Sequence, residues 1–197
     1  MQQQEIDIEA LKTNEEFQNN LKTLEKEMRD ENSVAKGYQL LDAKLLLEAP
    51  EDEINDIFTF IVNTAFDILA EKLTKHEGFD MNVYEDLATA RAIYEHAIQR
   101  YSENDKKGAK EMFLVLNHTM QTDELKDAMM IHASAVMAGH TFDEFIQNLV
   151  DVSGVDESDP TAFFIQTFVQ PTDILLTMFA KYVKQGKDEL KVLEESK

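Results

Sequence analysis

Helix-start signals recur along this chain and constrain its fold class more than any other feature. Ser33, Asp105 and Thr122 each precede apolar residues spaced three or four apart, the spacing of one helix face. The stretches "TNEE" at 13–16 and "TFDE" at 141–144 predict capping boxes, in which Thr and Glu satisfy each other's backbone N–H groups. Almost no run alternates apolar with polar residues, as strands do. The sequence therefore predicts an all-α protein, a multi-helix bundle of eight or nine helices.

The most apolar predicted helix follows Pro50 and runs to about Lys75. Pro50 suits the first helical position, and the acids at 51–53 favour the positive end of the helix dipole. Apolar side chains then occupy most of the circumference: Ile57, Phe58, Phe60, Ile61, Val62, Phe66, Ile68, Leu69 and Leu73. A helix that is apolar on nearly all sides is expected at the centre of its bundle, with Phe66 in the core.

The C-terminal part predicts two more helices. Asp159 is a candidate cap with Pro160 just inside a helix that carries "AFFIQTFV". Pro171 has no N–H for the preceding turn, so it ends or kinks that helix. A last helix is expected from Thr172, with a broad apolar face formed mainly by Leu175, Met178, Phe179 and Tyr182. Such a face is covered either by the bundle or by a second molecule, and the apolar segment before Pro171 favours the bundle.

The chain length, 197 residues, suits one compact domain. Residues 33–197 are expected to form this single domain, because no low-complexity segment and no clear linker interrupts them. Residues 1–32 are expected to form an N-terminal helical arm that is loosely attached.

The stretch "ARAIYEHAIQRY" at 90–101, followed by "GAKEMFLVL" at 108–116, resembles a helix pair of half-a-tetratricopeptide and tetratricopeptide repeats. The resemblance rests on small and large residues that let two helices pack closely: Ala97, Ala109, Phe113 and Leu116. A repeat family implies copies at a fixed period, and a step of about 34 residues in either direction meets no second copy. The sequence therefore predicts one helical hairpin, not a repeat solenoid, and assigns no family.

Charge excludes several function classes. The chain has 39 acidic against 19 basic residues, a formal net charge of −20. Binding to nucleic acid or to an anionic membrane needs clustered cations, so neither is expected. An acidic inhibitor that mimics nucleic acid remains an open alternative.

The acidic residues concentrate in one part of the chain. No Lys or Arg occurs between Lys126 and Lys181. A solvated face is the simpler interpretation, and a docking surface for a basic partner is the functional one. The candidate partner surface comprises Asp143, Glu144, Asp151, Asp156, Glu157 and Asp159.

Residues that carry chemistry are few. The chain has no cysteine, no Gly-rich phosphate loop and no Gly-x-Ser-x-Gly elbow, and residues 151–160 lack the spacing of a calcium-binding EF-hand loop. Of five histidines only His132 falls on a predicted core face, beside Leu125, Met129 and Val136. A buried, hydrogen-bonded residue is its simpler role, and a metal ligand is the alternative.

The function expected from these features is non-enzymatic: an acidic helical adaptor, chaperone-like factor or regulator that acts on a partner protein. No cofactor is expected, and the sequence leaves the oligomeric state open. A helical protein that binds a metal or small ligand at His132 is a further alternative. The chain begins without a signal-peptide pattern and contains no convincing membrane span, so a cytoplasmic location is expected.

Overall fold

The computed structural model of the protein describes residues 7–154 and 158–195, with side chains of the last helix as far as Lys191. These residues are 75% helical and contain no strand, which confirms the prediction of an all-α helical bundle. They form ten helices, one more than the upper predicted count, and nine have seven or more residues. The helices are α1 Ile8–Thr13, α2 Glu15–Glu31, α3 Val34–Leu46, α4 Glu51–Lys75, α5 Tyr84–Ser102, α6 Lys106–Thr119, α7 Asp123–Ala138, α8 Phe142–Leu149, α9 Thr172–Met178 and α10 Ala180–Glu195.

The chain divides into two compact units, Met1–Leu69 and Ala70–Lys197, and the division falls within α4. The sequence predicts instead a loosely attached arm of residues 1–32 beside a compact domain of residues 33–197. In the structure α2 and α3 pack against each other inside the first unit. Met28 of α2 is buried, and Lys36 of α3 pairs with Glu27 and Glu31 of α2 at 2.8 Å each.

The caps of the first unit follow the sequence with one correction. Ser33 caps α3 by accepting a hydrogen bond from the Lys36 N–H at 3.1 Å, as predicted. The cap of α2 is Asn14, whose side chain accepts from the Phe17 N–H at 2.9 Å. The predicted capping box on Thr13 is therefore wrong, because Thr13 ends α1 and its hydroxyl donates to carbonyl groups of that helix. Both residue types cap helices well, and the sequence does not distinguish the two positions.

One face of α4 is buried, whereas the sequence predicts burial nearly all round. Ile57, Ile61 and Leu69 lie on the buried face, but Phe58 is exposed and Phe66 is only half-buried. The expectation that Phe66 belongs to the core is therefore wrong. Within the first unit, α3 approaches α4 closely, because a Cβ placed on Gly37 would lie 2.7 Å from Cγ1 of Ile61.

The second unit is built on the consecutive helices α5, α6 and α7, each packed against the next. The predicted hairpin of α5 and α6 is present, and its small and aromatic residues Ala97, Ala109 and Phe113 are fully buried. The helix α8 packs against α5, and both α9 and α10 pack against α7. Gly186 lets α10 lie close to its neighbours, since a Cβ there would be 2.9 Å from Cδ2 of Leu114.

The predicted helix after Asp159 does not form. The Asp159 carboxylate instead accepts hydrogen bonds from the N–H and hydroxyl of Thr161, at 2.7 and 2.8 Å, and so closes a turn. The described residues between α8 and α9 are irregular, apart from an antiparallel bridge between Val150 and Phe168. Pro171 directly precedes α9, as predicted, but the last helix is divided at Phe179 into α9 and α10.

Candidate functional site

The first candidate region surrounds His132, in the middle of α7. The ring is fully buried, with the rings of Phe113 and Phe145 at centroid distances of 4.8 and 4.6 Å. This burial agrees with the core face that the sequence predicts for His132. The ring has to satisfy two polar nitrogens in this apolar surrounding, so its hydrogen bonds determine what it can do.

The hydrogen bonds of His132 fix its tautomer. Nδ1 lies 2.8 Å from the carbonyl oxygen of Ala128, which can only accept, so Nδ1 carries the hydrogen. Nε2 lies 3.1 Å from the Tyr94 hydroxyl and accepts from it. The Tyr94 oxygen in turn accepts from the backbone N–H of Ile165 at 3.0 Å. This relay connects α5, α7 and the irregular segment before α9.

Burial keeps the relay uncharged. Desolvation lowers the pKa of His132 to about 4, and the hydrogen bond to Ala128 opposes the shift only in part. Desolvation also raises the pKa of the Tyr94 hydroxyl, against the opposing effect of the Ile165 bond. Both groups are therefore neutral near pH 7, with both ring nitrogens hydrogen-bonded within the protein.

A metal at His132 gains no support from this geometry. The Nε2 lone pair is engaged by Tyr94, and Nδ1 carries a hydrogen. Within residues 7–154 and 158–195, no three His, Cys, Asp or Glu side chains are grouped so that they could hold an ion. His132 is arranged as a hydrogen-bonded core residue that joins elements of the second unit.

The second candidate region is the acidic surface. Asp143 and Glu144 lie exposed in the first turn of α8. Glu144 completes the predicted capping box: its carboxylate accepts from the Thr141 N–H at 2.8 Å, and its own N–H donates to the Thr141 hydroxyl at 3.2 Å. These bonds lower the pKa of Glu144, so the carboxylate both begins the helix and stays ionised.

The other acids lie beyond the far end of α8. The Asp151 carboxylate accepts from the N–H and hydroxyl of Ser153, at 2.9 and 2.6 Å, and these bonds lower its pKa. Asp159 holds the turn at Thr161 in the same way. Asp156 and Glu157 lie outside the described residues. Because α8 is about 12 Å long, the structure separates Asp143 and Glu144 from Asp151, so the described members of the set do not form one cluster.

The described carboxylates of this region are not compensated by ion pairs. No described carboxylate between Lys126 and Lys181 lies within ion-pair distance of a described cation. Ion pairs form elsewhere in the second unit, as between Lys72 and Asp86 at 2.9 Å and between Lys110 and Glu189 at 2.6 Å. Four of the described carboxylates face solvent: Asp143, Glu144, Asp159 and Asp173.

Exposed apolar side chains lie in the same part of the chain. Their exposed fractions are 71% for Val152, 50% for Val169, 45% for Ile174 and 68% for Met178. We call these four residues the exposed apolar set. The sequence predicts Met178 on a covered stripe with Leu175 and Phe179, but only Leu175 and Phe179 are buried.

Backbone hydrogen bonds hold the segments of this set side by side. The Asp151 N–H donates to the Thr167 carbonyl at 3.0 Å, and the Val169 N–H donates to the Leu149 carbonyl at 2.9 Å. Val152 and Val169 therefore belong to neighbouring segments, and α9 begins shortly after Val169. Ile174 and Met178 are one turn apart and share a face of α9.

None of the helices in the described part of the chain combines the length and the apolar character that a membrane crossing requires. The chain matches no protein-family model, and it has no significant match to a curated protein or to a solved structure.

Proposed function

We propose that this protein is a non-enzymatic interaction protein, an adaptor, chaperone-like factor or regulator. In this proposal the exposed apolar set and the acids around it bind a partner protein that carries basic residues beside apolar ones. One observation supports it above all: four well-exposed apolar side chains lie in a stretch whose described carboxylates form no ion pairs. Covering apolar surface supplies affinity, and uncompensated charge selects a partner of opposite sign.

The geometry of α9 favours a helical partner. Ile174 and Met178 form an exposed strip beside the buried pair Leu175 and Phe179, which anchor the helix to the second unit. An amphipathic helix recognises such a strip through apolar residues three or four positions apart. Methionine adapts to partners of different shape, because its unbranched side chain has three rotatable bonds.

The alternatives receive less support. A ligand site at His132 would need an unengaged ring nitrogen, and both are hydrogen-bonded beneath aromatic rings. A nucleic-acid mimic would present mainly carboxylates, whereas here exposed apolar side chains occur in the same stretch of the chain as the acids.

The test uses the full chain and a labelled synthetic helix with a leucine stripe flanked by lysines. Fluorescence anisotropy should show saturable binding that weakens as salt is added. The double variant Ile174→Ser/Met178→Ser should bind about tenfold more weakly, as expected when a central apolar contact is lost. The matched control Val83→Ser/Tyr84→Ser removes two exposed apolar side chains at the start of α5 and should bind as the parent does.

Two results would contradict the proposal. One is an equal loss of affinity in both double variants, since binding would then not depend on the exposed apolar set. The other is no binding of the lysine-flanked helix by the parent protein at low salt.

A further inference from the structure

The helices α9 and α10 together form a concave face that carries lysines, in contrast to the acidic surface described above. The concavity has a volume of about 540 Å³. Leu176, Ala180 and Val183 form its apolar floor, and Lys184 and Lys187 lie beside them. Lys191 and Asp188 lie at its C-terminal end.

Two lysines of this face lie in a stretch of the chain without acidic residues. Residues 174–187 contain three lysines and no Asp or Glu, although the whole chain has twice as many acids as bases. Lys184 and Lys187 are exposed, and neither makes a hydrogen bond or an ion pair with another described residue. Lys191, in contrast, donates to Asp188 at 2.8 Å. Lys184 acts electrostatically on Asp188 and Lys187 on Asp127, but neither lysine forms an ion pair, so both ammonium groups can still pair with a ligand.

This face is distinct from the exposed apolar set. Successive residues of a helix are rotated by about 100°, so Ile174, Leu175 and Leu176 point in three different directions. Ile174 is exposed with Met178, Leu175 is buried, and Leu176 lines the concave face. The same helix pair therefore presents two separate surfaces to solvent.

We propose that the concave face of α9 and α10 binds an acidic amphipathic helix of a partner protein. From Leu176 to Lys191 the face extends at most about 22 Å along the two helices, which matches about four turns of a helix laid along it. Ala180 is small and exposed, so a partner backbone can approach the floor closely. Asp or Glu residues beside the partner's apolar strip would pair with Lys184 and Lys187.

The charge of the protein favours an acidic helix over a second copy of the chain or an anionic membrane as the occupant of this face. A second copy of the chain carries the same net charge of −20, and an anionic membrane would repel most of the surface. An acidic helix is small enough to engage only the lysine-rich face. The inference does not rest on the proposed basic partner, since it uses different residues and the opposite charge.

The experiment measures binding of the full chain to a labelled helical peptide of about 16 residues, with a leucine stripe flanked by glutamates. The parent protein should bind it saturably at low salt. Lys184→Glu/Lys187→Glu should weaken binding about tenfold or more. The matched control Lys22→Glu/Lys107→Glu makes the same change of charge on exposed positions of α2 and α6 and should bind within twofold of the parent. Ala180→Trp fills the floor without a change of charge and should also weaken binding.

Other occupants give different results. Light scattering that shows dimers of the parent and monomers of the Lys184→Glu/Lys187→Glu variant would assign the face to self-association and overturn the proposal. Cosedimentation with phosphatidylserine vesicles that depends on the same lysines would assign it to a lipid surface. Equal peptide binding by the parent and the lysine variant, or no binding by the parent, would also overturn it. None of these outcomes changes the test of the basic partner, which uses a lysine-flanked peptide and Ile174 with Met178.

Discussion

The hydroxyl oxygen of Tyr94 lies 3.1 Å from Nε2 of His132, and this contact joins α5 to α7 inside the second unit. The same oxygen accepts from the Ile165 N–H and so holds the irregular segment that leads to α9. The hydrogen-bonded groups of this relay are buried and neutral, unlike the exposed carboxylates of the acidic surface. Its role is to position the segment that leads to the exposed apolar set.

Tyr94→Phe should destabilise the protein by about 2–3 kcal/mol, because the buried His132 Nε2 and the half-buried Ile165 N–H would both lose their partner. Urea unfolding followed by circular dichroism measures this free energy. Tyr101→Phe is the matched control, since its hydroxyl makes one bond, to the His140 carbonyl at 3.1 Å, and should cost less. A loss below about 0.5 kcal/mol for Tyr94→Phe would show that the relay contributes little.

Acid should destabilise the protein through His132. Its pKa is about 4 in the folded state and about 6.5 in the unfolded chain, so between these values only the unfolded chain takes up the proton. Stability should therefore be unaffected by this group above pH 7 and fall as pH drops from 6.5 towards 4. The full effect is about 3 kcal/mol.

His132→Phe separates this effect from the titration of carboxylates, which lies mostly below pH 5. The variant should be less stable than the parent at pH 7, because the Tyr94 hydroxyl loses its acceptor. Its free energy of unfolding should change less between pH 7 and pH 5. Identical slopes for parent and variant in that interval would contradict a buried, neutral His132.

Ser134→Ala should stabilise the protein by about 1 kcal/mol, since the Ser134 hydroxyl is buried without a hydrogen-bond partner among the described residues. Thermal unfolding should show a higher midpoint. Thr119→Val is the comparison, because the Thr119 hydroxyl is buried but donates to the Val115 carbonyl at 2.9 Å, and its loss should lower the midpoint. A lower midpoint for Ser134→Ala would mean that the hydroxyl has a partner, such as an internal water.

Local signals explain what the sequence predicts correctly. The caps at Ser33, Asp105 and Thr141 depend only on residues within one turn, so the chain itself carries the information. The burial of His132 follows from its helical spacing to Leu125 and Met129. The acidic stretch can be identified from amino-acid composition alone.

Long-range contacts explain what the sequence does not predict. The predicted helix after Asp159 is replaced by a turn at Thr161, and the Ile165 N–H donates to Tyr94, 71 positions earlier. No local pattern signals that bond. The last helix is also divided at Phe179, where no Pro or Gly in the sequence indicates a break. Met178, which the sequence places on the covered face, is exposed just before that division.

Hydrogen–deuterium exchange of the full chain, with and without the lysine-flanked helix, tests the interaction role most directly. Binding should slow the exchange of the backbone amides of 150–152 and 167–178 and leave that of α5 and α6 unchanged. The Ile174→Ser/Met178→Ser variant should lose this protection. Protection that appears only in other helices, or none at a peptide concentration that saturates the anisotropy signal, would contradict the assignment of the exposed apolar set as the binding surface.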